Sequence, residues 1–229
     1  MKFVRLIPES WPAPLRRPGL ASLALVLLFS TFFLSACGQT PPFIHQYVFE
    51  YAPPAALGGP QPLGEAIAVK RFAVAQAFNT TDMVYQPGPL QTAAYKYNRW
   101  RVNPGYMVAD YLARDLRHSG LFRAVFRDPE AGPCRFVLEG GVEEIQERDE
   151  PEGWKAALAL TVTLLDTAQE EIPRQILFQK QYRALEPMLA KTPQGLADAM
   201  SRAMQSLSLQ ITADVQRAIW NRLAEDRKK

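Results

Sequence analysis

The sequence predicts an α+β fold, a two-layer sandwich in which a mostly antiparallel sheet carries two amphipathic helices on one face. Three observations lead there. Residues 134–185 hold three long stretches with apolar residues at every second position. Two further segments, beginning at Pro104 and Pro193, repeat apolar residues at helical spacing behind a capping residue. Strands with one apolar face and helices with one apolar stripe bury those faces against each other.

The elements follow in order. Residues 45–51, HQYVFEY, alternate Tyr47, Phe49 and Tyr51 and read as a possible first strand. Residues 66–74, AIAVKRFAV, read as one strand. Residues 82–86 and 92–100 form a hairpin across Pro87-Gly88-Pro89, with Tyr95 and Tyr97 on one face of the second arm. Asn103 caps a helix that Pro104 opens and Gly120 closes. Its stripe is Met107, Val108, Tyr111, Leu112 and Leu116, with Asp110 and Arg114 as a solvated i,i+4 pair opposite. Residues 121–126 give a short strand.

Three long strands follow. Residues 134–145 alternate Phe136, Leu138 and Val142, and Gly140-Gly141 marks a bulge. The run 143–153 is a solvated acidic hairpin tip. Residues 154–166 place Leu158, Leu160, Val162 and Leu164 on one face; residues 176–185 form the third strand. Thr192 caps the last helix, whose stripe from Leu196 through Met200, Met204, Leu207, Ile211, Val215 and Ile219 continues to Leu223. No internal repeat is present.

The N-terminus is organised differently. Lys2, Arg5, Arg16 and Arg17 precede an uncharged apolar run, Gly19 to Ala36, which ends in Leu-Ser-Ala-Cys at Cys37. A basic region, a short apolar core and small residues before a cut describe a secretory signal. The small residues before a thiol resemble the bacterial lipobox, which implies cleavage after Ala36 and acylation of Cys37. Two or three acyl chains, palmitate among them, anchor a protein stably where one is marginal. Gly38 in place of Asp favours the periplasmic face of the outer membrane.

The chain then divides into a signal (1–36), a Pro/Gly-rich tether with a possible first strand (37–65) and an α+β domain (66–229). A tether of that length, extended at about 3 Å per residue, reaches on the order of 80 Å.

Charge and composition narrow the function. The signal holds four of the 26 basic residues and one of the 23 acids, so the remainder has no net charge. That removes the electrostatic basis for nucleic-acid binding. Once Cys37 is acylated, Cys134 is the one remaining cysteine; it reads as a buried, inert thiol at a strand start. His45 and His118 lie in different elements with no cluster at metal-ligand spacing. No motif of nucleophilic, metallo- or phosphate-loop chemistry is present. The expectation is a non-enzyme, with no cofactor beyond the covalent lipid on Cys37 and no metal.

Residues 83–126 resemble the signature region of the ABC-type transport auxiliary lipoproteins of the PqiC type. The pattern is a Met-Val-Tyr strand (Met83–Tyr85), a Tyr-x-Tyr-x-x-Trp strand (Tyr95–Trp100), and a Pro-started helix ending in Ser-Gly-Leu-Phe (Ser119–Phe122). The resemblance implies a partner set of an ABC permease, its ATPase and an MCE-domain protein that moves lipids or hydrophobic compounds.

Within that region Tyr95, Tyr97, Arg99, Trp100 and Arg101, near Tyr85, form an aromatic-basic cluster of the composition found at interface hot spots. The same residues suit packing beneath the first helix; Trp100 and Arg101 are the more exposed. Two other readings remain open: a lipoprotein regulator of a cell-wall synthase, and a direct binder of a hydrophobic ligand.

Overall fold

The computed structural model describes residues 42–54, 62–127 and 134–228. The expected signal, residues 1–36, and the expected lipidation site Cys37 lie outside the described residues. Phe43–Lys229 form one compact unit.

The described strands are β1 (His45–Tyr47), β2 (Ala66–Val69), β3 (Ala73–Val74), β4 (Asp82–Gly88), β5 (Gln91–Trp100), β6 (Ala124–Arg127), β7 (Phe136–Glu150), β8 (Gly153–Asp166) and β9 (Ile176–Pro187). The helices are α1 (Pro104–His118), the single turn α2 (Ile172–Gln175) and α3 (Pro193–Asp226).

β7 is the axis of the sheet. Along one edge it pairs antiparallel with β8, from Phe136 opposite Asp166 to Glu150 opposite Gly153. Along the other it receives three short strands in succession, all parallel: β2 at Phe136–Leu138, β3 at Gly141–Val142 and β4 at Glu147–Arg148. Outward from these, β6 pairs parallel with β2, β5 antiparallel with β4, and β1 parallel with β5. β9 pairs with β8 and leaves its outer edge open among the described residues.

The fold is α+β, as the periodicity predicts, but the sheet is mixed and curled rather than one layer of a mostly antiparallel sandwich. Five of its eight strand pairings are parallel. Alternation tells which face a side chain takes and says nothing of the neighbour's direction. The two long ladders are the antiparallel hairpins that short turns impose; the parallel partners are strands two to seven residues long that reach β7 after longer excursions.

Several elements shift for identifiable reasons. The expected strand 66–74 is broken into β2 and β3 so that Phe72 turns fully into the core. The bulge falls between Val142 and Glu144, not at Gly140-Gly141. Gly140 answers a different need: a Cβ there would lie 2.1 Å from the Thr161 carbonyl oxygen and 2.8 Å from Phe72 Cε1. Residues 143–150, expected as a solvated tip, continue β7. Asp110 pairs with Arg127 instead of Arg114, and Arg114 turns to Asp115 at 2.8 Å.

Both helix caps form as the sequence implies. The Gly105 N–H donates to Asn103 Oδ1 at 3.0 Å, and the Gly195 N–H to Thr192 Oγ1 at 3.0 Å. α3 runs 34 residues, about 50 Å. Leu196, Met200, Met204, Leu207, Ile211, Val215 and Ile219 are fully buried in one core with Leu158, Leu160, Val162 and Leu164 of β8 and with the stripe of α1.

The chain before β2 belongs to this core. Phe49 is 1% exposed and stacks edge-on against Trp100 at 5.6 Å and Tyr111 at 5.3 Å. The Glu50 N–H donates to Ser201 Oγ of α3 at 2.9 Å. The Tyr51 hydroxyl donates to the buried Asp115 at 2.7 Å, and Ser208 donates to the same carboxylate oxygen at 2.6 Å. One carboxylate thus joins the N-terminal segment, α1 and α3. Residues 43–54, which composition assigns to a free tether, are docked.

Candidate functional site

The five residues of the signature cluster take different roles. β5 carries a wide irregularity: its register with β4 jumps from Asp82–Arg99 to Val84–Ala94, so residues 95–98 stand opposite Met83 alone. The kink separates the two tyrosines that simple alternation puts on one face. Tyr95 turns inward, its ring 5.0 Å from Tyr85 and its hydroxyl donating to Glu147 Oε2 at 2.6 Å. Tyr97 stays exposed beneath Lys96, whose Nζ is 5.1 Å from the ring centroid.

Arg99 is an exposed partner of Asp82 at 3.0 Å. Trp100, expected near the surface, is 2% exposed and packs on Phe49. Arg101 is exposed and donates to the Gln46 side chain. Of the cluster, then, Tyr97, Arg99 and Arg101 are available to a partner, while Tyr95 and Trp100 hold the hairpin to the core.

Behind Tyr95 lies a group that sequence reasoning reads as solvated. Glu147 is fully buried, and β7 places Asp149 two residues on along the same face. Burial, with Asp149 beside it, pushes the Glu147 carboxyl above its ordinary value, against the pull of Lys191. Glu147 Oε1 and Asp149 Oδ1 are both buried without a hydrogen-bond donor among the described residues. Lys191 pairs with Asp149 from the loop before α3. Burial and Glu147 also hold the Tyr95 hydroxyl protonated well above its usual range. The signal was present in the sequence as parity: Ile145, Glu147 and Asp149 share one face of a strand whose bulge resets the phase.

A second feature lies at the other end of β7. Between the open edge of β9 and the C-terminal half of α3 runs a groove of about 450 Å³. Ile176, Leu177, Phe178 and Ala218 give it apolar walls, and Lys180, Arg217 and Arg222 line it with charge. Lys180 is tied to Asp214 at 2.6 Å, which braces the helix over the strand. Cys134 is half-buried rather than buried, and free. Among the described residues, no group of three or more His, Cys, Asp or Glu is placed to hold a metal ion. No described helix is long and apolar enough to cross a membrane.

This arrangement of kinked hairpin, Pro-started helix and long strands recurs in known proteins. The family model for the ABC-type transport auxiliary lipoprotein component matches residues 47–212, from β1 to the middle of α3. The chain belongs to that family.

Membership associates the chain with the cell envelope and an ABC transport system. Among solved structures it is similar to protein XCC0632 from Xanthomonas campestris, at 14% identity and a TM-score of 0.66, over 82% of this chain and all of that one. It is also similar to an uncharacterised protein at 13% identity and a TM-score of 0.56, over 75% of this chain and 99% of that one. At these identities the likeness is one of fold. No curated protein sequence matches the chain. The match begins at residue 47, within the segment that Phe49 and Tyr51 fasten to the core.

Proposed function

We propose that this auxiliary lipoprotein is a non-catalytic docking component of an ABC transport system for lipids or other hydrophobic compounds. In this reading acylated Cys37 anchors it on the periplasmic face of the outer membrane, and it receives the MCE-domain protein of a complex that also holds a permease and an ATPase.

The observation that carries the reading is the family match over residues 47–212, which spans the folded core rather than a peripheral motif. The geometry suits docking. β9 presents a strand 12 residues long with an unpaired edge, and the groove beside it offers an apolar floor with a charged rim. An extended segment added to such an edge gains main-chain hydrogen bonds and seats alternate side chains in the groove.

The test is an affinity capture of the tagged, full-length protein from detergent-solubilised envelopes, read by mass spectrometry. Recovery of an MCE-domain protein with its permease and ATPase is expected. Recovery of a penicillin-binding protein in their place refutes the transport reading.

A further inference from the structure

Exposed apolar and basic side chains gather along the edge where the chain enters the domain. β1 lies against β5 with His45 beside Asn98, Gln46 beside Arg99 and Tyr47 beside Trp100. Trp100 is buried, so the Tyr47–Trp100 pair marks the side toward the core, and Gln46 and Arg99 point the other way. One residue before this ladder stand Ile44 and Tyr97; one residue after it stand Val48 and Arg101. All four are exposed, and the Arg101 guanidinium donates to the Gln46 side chain, on the outward side of the pair. Ile44 is 42% exposed, Val48 48% and Phe43, at the mouth of β1, 77%. Phe43 lies edge-on to His45 at 5.0 Å, and the outer edge of β1 has no partner strand among the described residues.

The chain that leads to this edge is short. Six Cα–Cα steps separate Cys37 from Phe43, at most about 20 Å. Phe49 and Tyr51 fasten the segment behind β1 to the core, so no further length is released downstream. A tether of that length holds the β1–β5 face at an effective concentration on the order of 1 mM at the surface where Cys37 is acylated, and weak interfacial affinity then suffices. Leu90, more exposed than any of these side chains, tips the hairpin at the other end of β5. It is seven residues from Tyr97, about 20 Å along the strand, and the leash does not favour it.

We infer that the outward face of the β1–β5 pair, with Phe43, Ile44, Val48, Tyr97, Lys96 and Arg101, seats in the lipid interface. The inference rests on the acylated Cys37 of the proposed function. Aliphatic and aromatic side chains with cations among them are the composition of interfacial anchors. The charges at this edge fit. Asp82 is taken up by Arg99 at 3.0 Å, and Glu50 stands beyond the buried Phe49, where its N–H meets Ser201 of α3. Lys96 and Arg101 face no carboxylate at ion-pair distance among the described residues and are free to meet phosphate headgroups. The consequence is a division of labour between free edges. β1 and β9 close different branches of the strand order, so the edge given to lipid is not the edge offered to the transport partner.

The test uses acylated protein with Cys134→Ser, in vesicles of phosphatidylethanolamine and phosphatidylglycerol. Val48→Cys, Tyr97→Cys or, as control, Leu90→Cys carries an environment-sensitive dye, and lipids bearing a nitroxide on the acyl chain act as quencher. Labels at Val48→Cys and Tyr97→Cys should shift to the blue and lose intensity to the nitroxide, while the Leu90→Cys label does neither. Adding Ile44→Asp to the Val48→Cys protein should lower the quenching about threefold or more, since interfacial binding scales with apolar area. Equal quenching at all three positions, quenching indifferent to Ile44→Asp, or none at all overturns the inference. So does a blue shift without lipid quenching, which would mean that another protein surface covers this face. Flotation separates this from the premise: protein that does not float with vesicles refutes the acyl anchor itself, and protein that floats with unquenched labels refutes the seating alone.

Discussion

Replacing Phe49 with alanine decides whether the N-terminal segment is part of the fold or a free leash. Phe49 is 1% exposed and touches Trp100 and Tyr111 edge-on, so the change removes a full aromatic side chain from a closed site. Phe→Ala in a packed core costs about 3–5 kcal/mol, which includes the aromatic contacts and the cavity left behind. For a domain of this size each kcal/mol lowers Tm by roughly 2–4 °C, so a fall of about 6 °C or more is expected. Phe43, six residues upstream and 77% exposed, serves as the control; Phe43→Ala should stay within about 0.5 kcal/mol. The assay is urea unfolding of the chain from residue 37 with Cys37→Ser, with the slope checked so that the midpoints are comparable. A Phe49→Ala cost below about 1 kcal/mol would refute the reasoning, because it would mean that the segment detaches without loss to the core and that Cys37 sits on a long tether after all.

Other expectations follow from the same packing. Asp115→Asn should cost about 3 kcal/mol or more by urea unfolding, since it leaves Arg114 without its buried partner and disturbs the acceptor shared by Tyr51 and Ser208. Gly140→Ala should destabilise by about 1–3 kcal/mol, because the new methyl meets the Thr161 backbone, which a side-chain rotation cannot relieve. Glu147 binds its proton more tightly folded than unfolded, so the stability it lends is complete below the ordinary glutamate range and is lost as pH rises through the raised folded value. Glu147→Gln should flatten that decline, and unfolding midpoints that fall in parallel with the parent from acid to neutral pH would contradict the raised Glu147 value. Ala218→Arg should fill the β9–α3 groove and abolish capture of the transport complex with stability within about 1 kcal/mol of the parent, whereas Tyr97→Ala with Arg101→Ala should leave capture intact.

Much of this was legible in one dimension because the signals are local. Asn103-Pro104 and Thr192-Pro193 open helices through their own side chains, whatever the helix later meets. The strict alternation from Leu158 to Leu164 already names the face of β8 that meets α3. The Met-Val-Tyr and Tyr-x-Tyr-x-x-Trp strands and the Pro-started helix of residues 83–126 lie within the stretch that the family model matches. Tertiary structure decided what depends on neighbours distant in sequence. Parallel pairing of β2, β3 and β4 with β7 leaves no trace in periodicity, because side-chain alternation is the same in either direction. Trp100 and Arg101 read alike as exposed until Phe49, from a segment that composition marks as tether, fills the space beside the indole. Glu147, in a run of charges that reads as solvated, is buried because a bulge at residue 143 resets the phase of β7 and Tyr95 closes over it. A residue's periodicity belongs to the chain, but its burial belongs to whatever the fold brings against it.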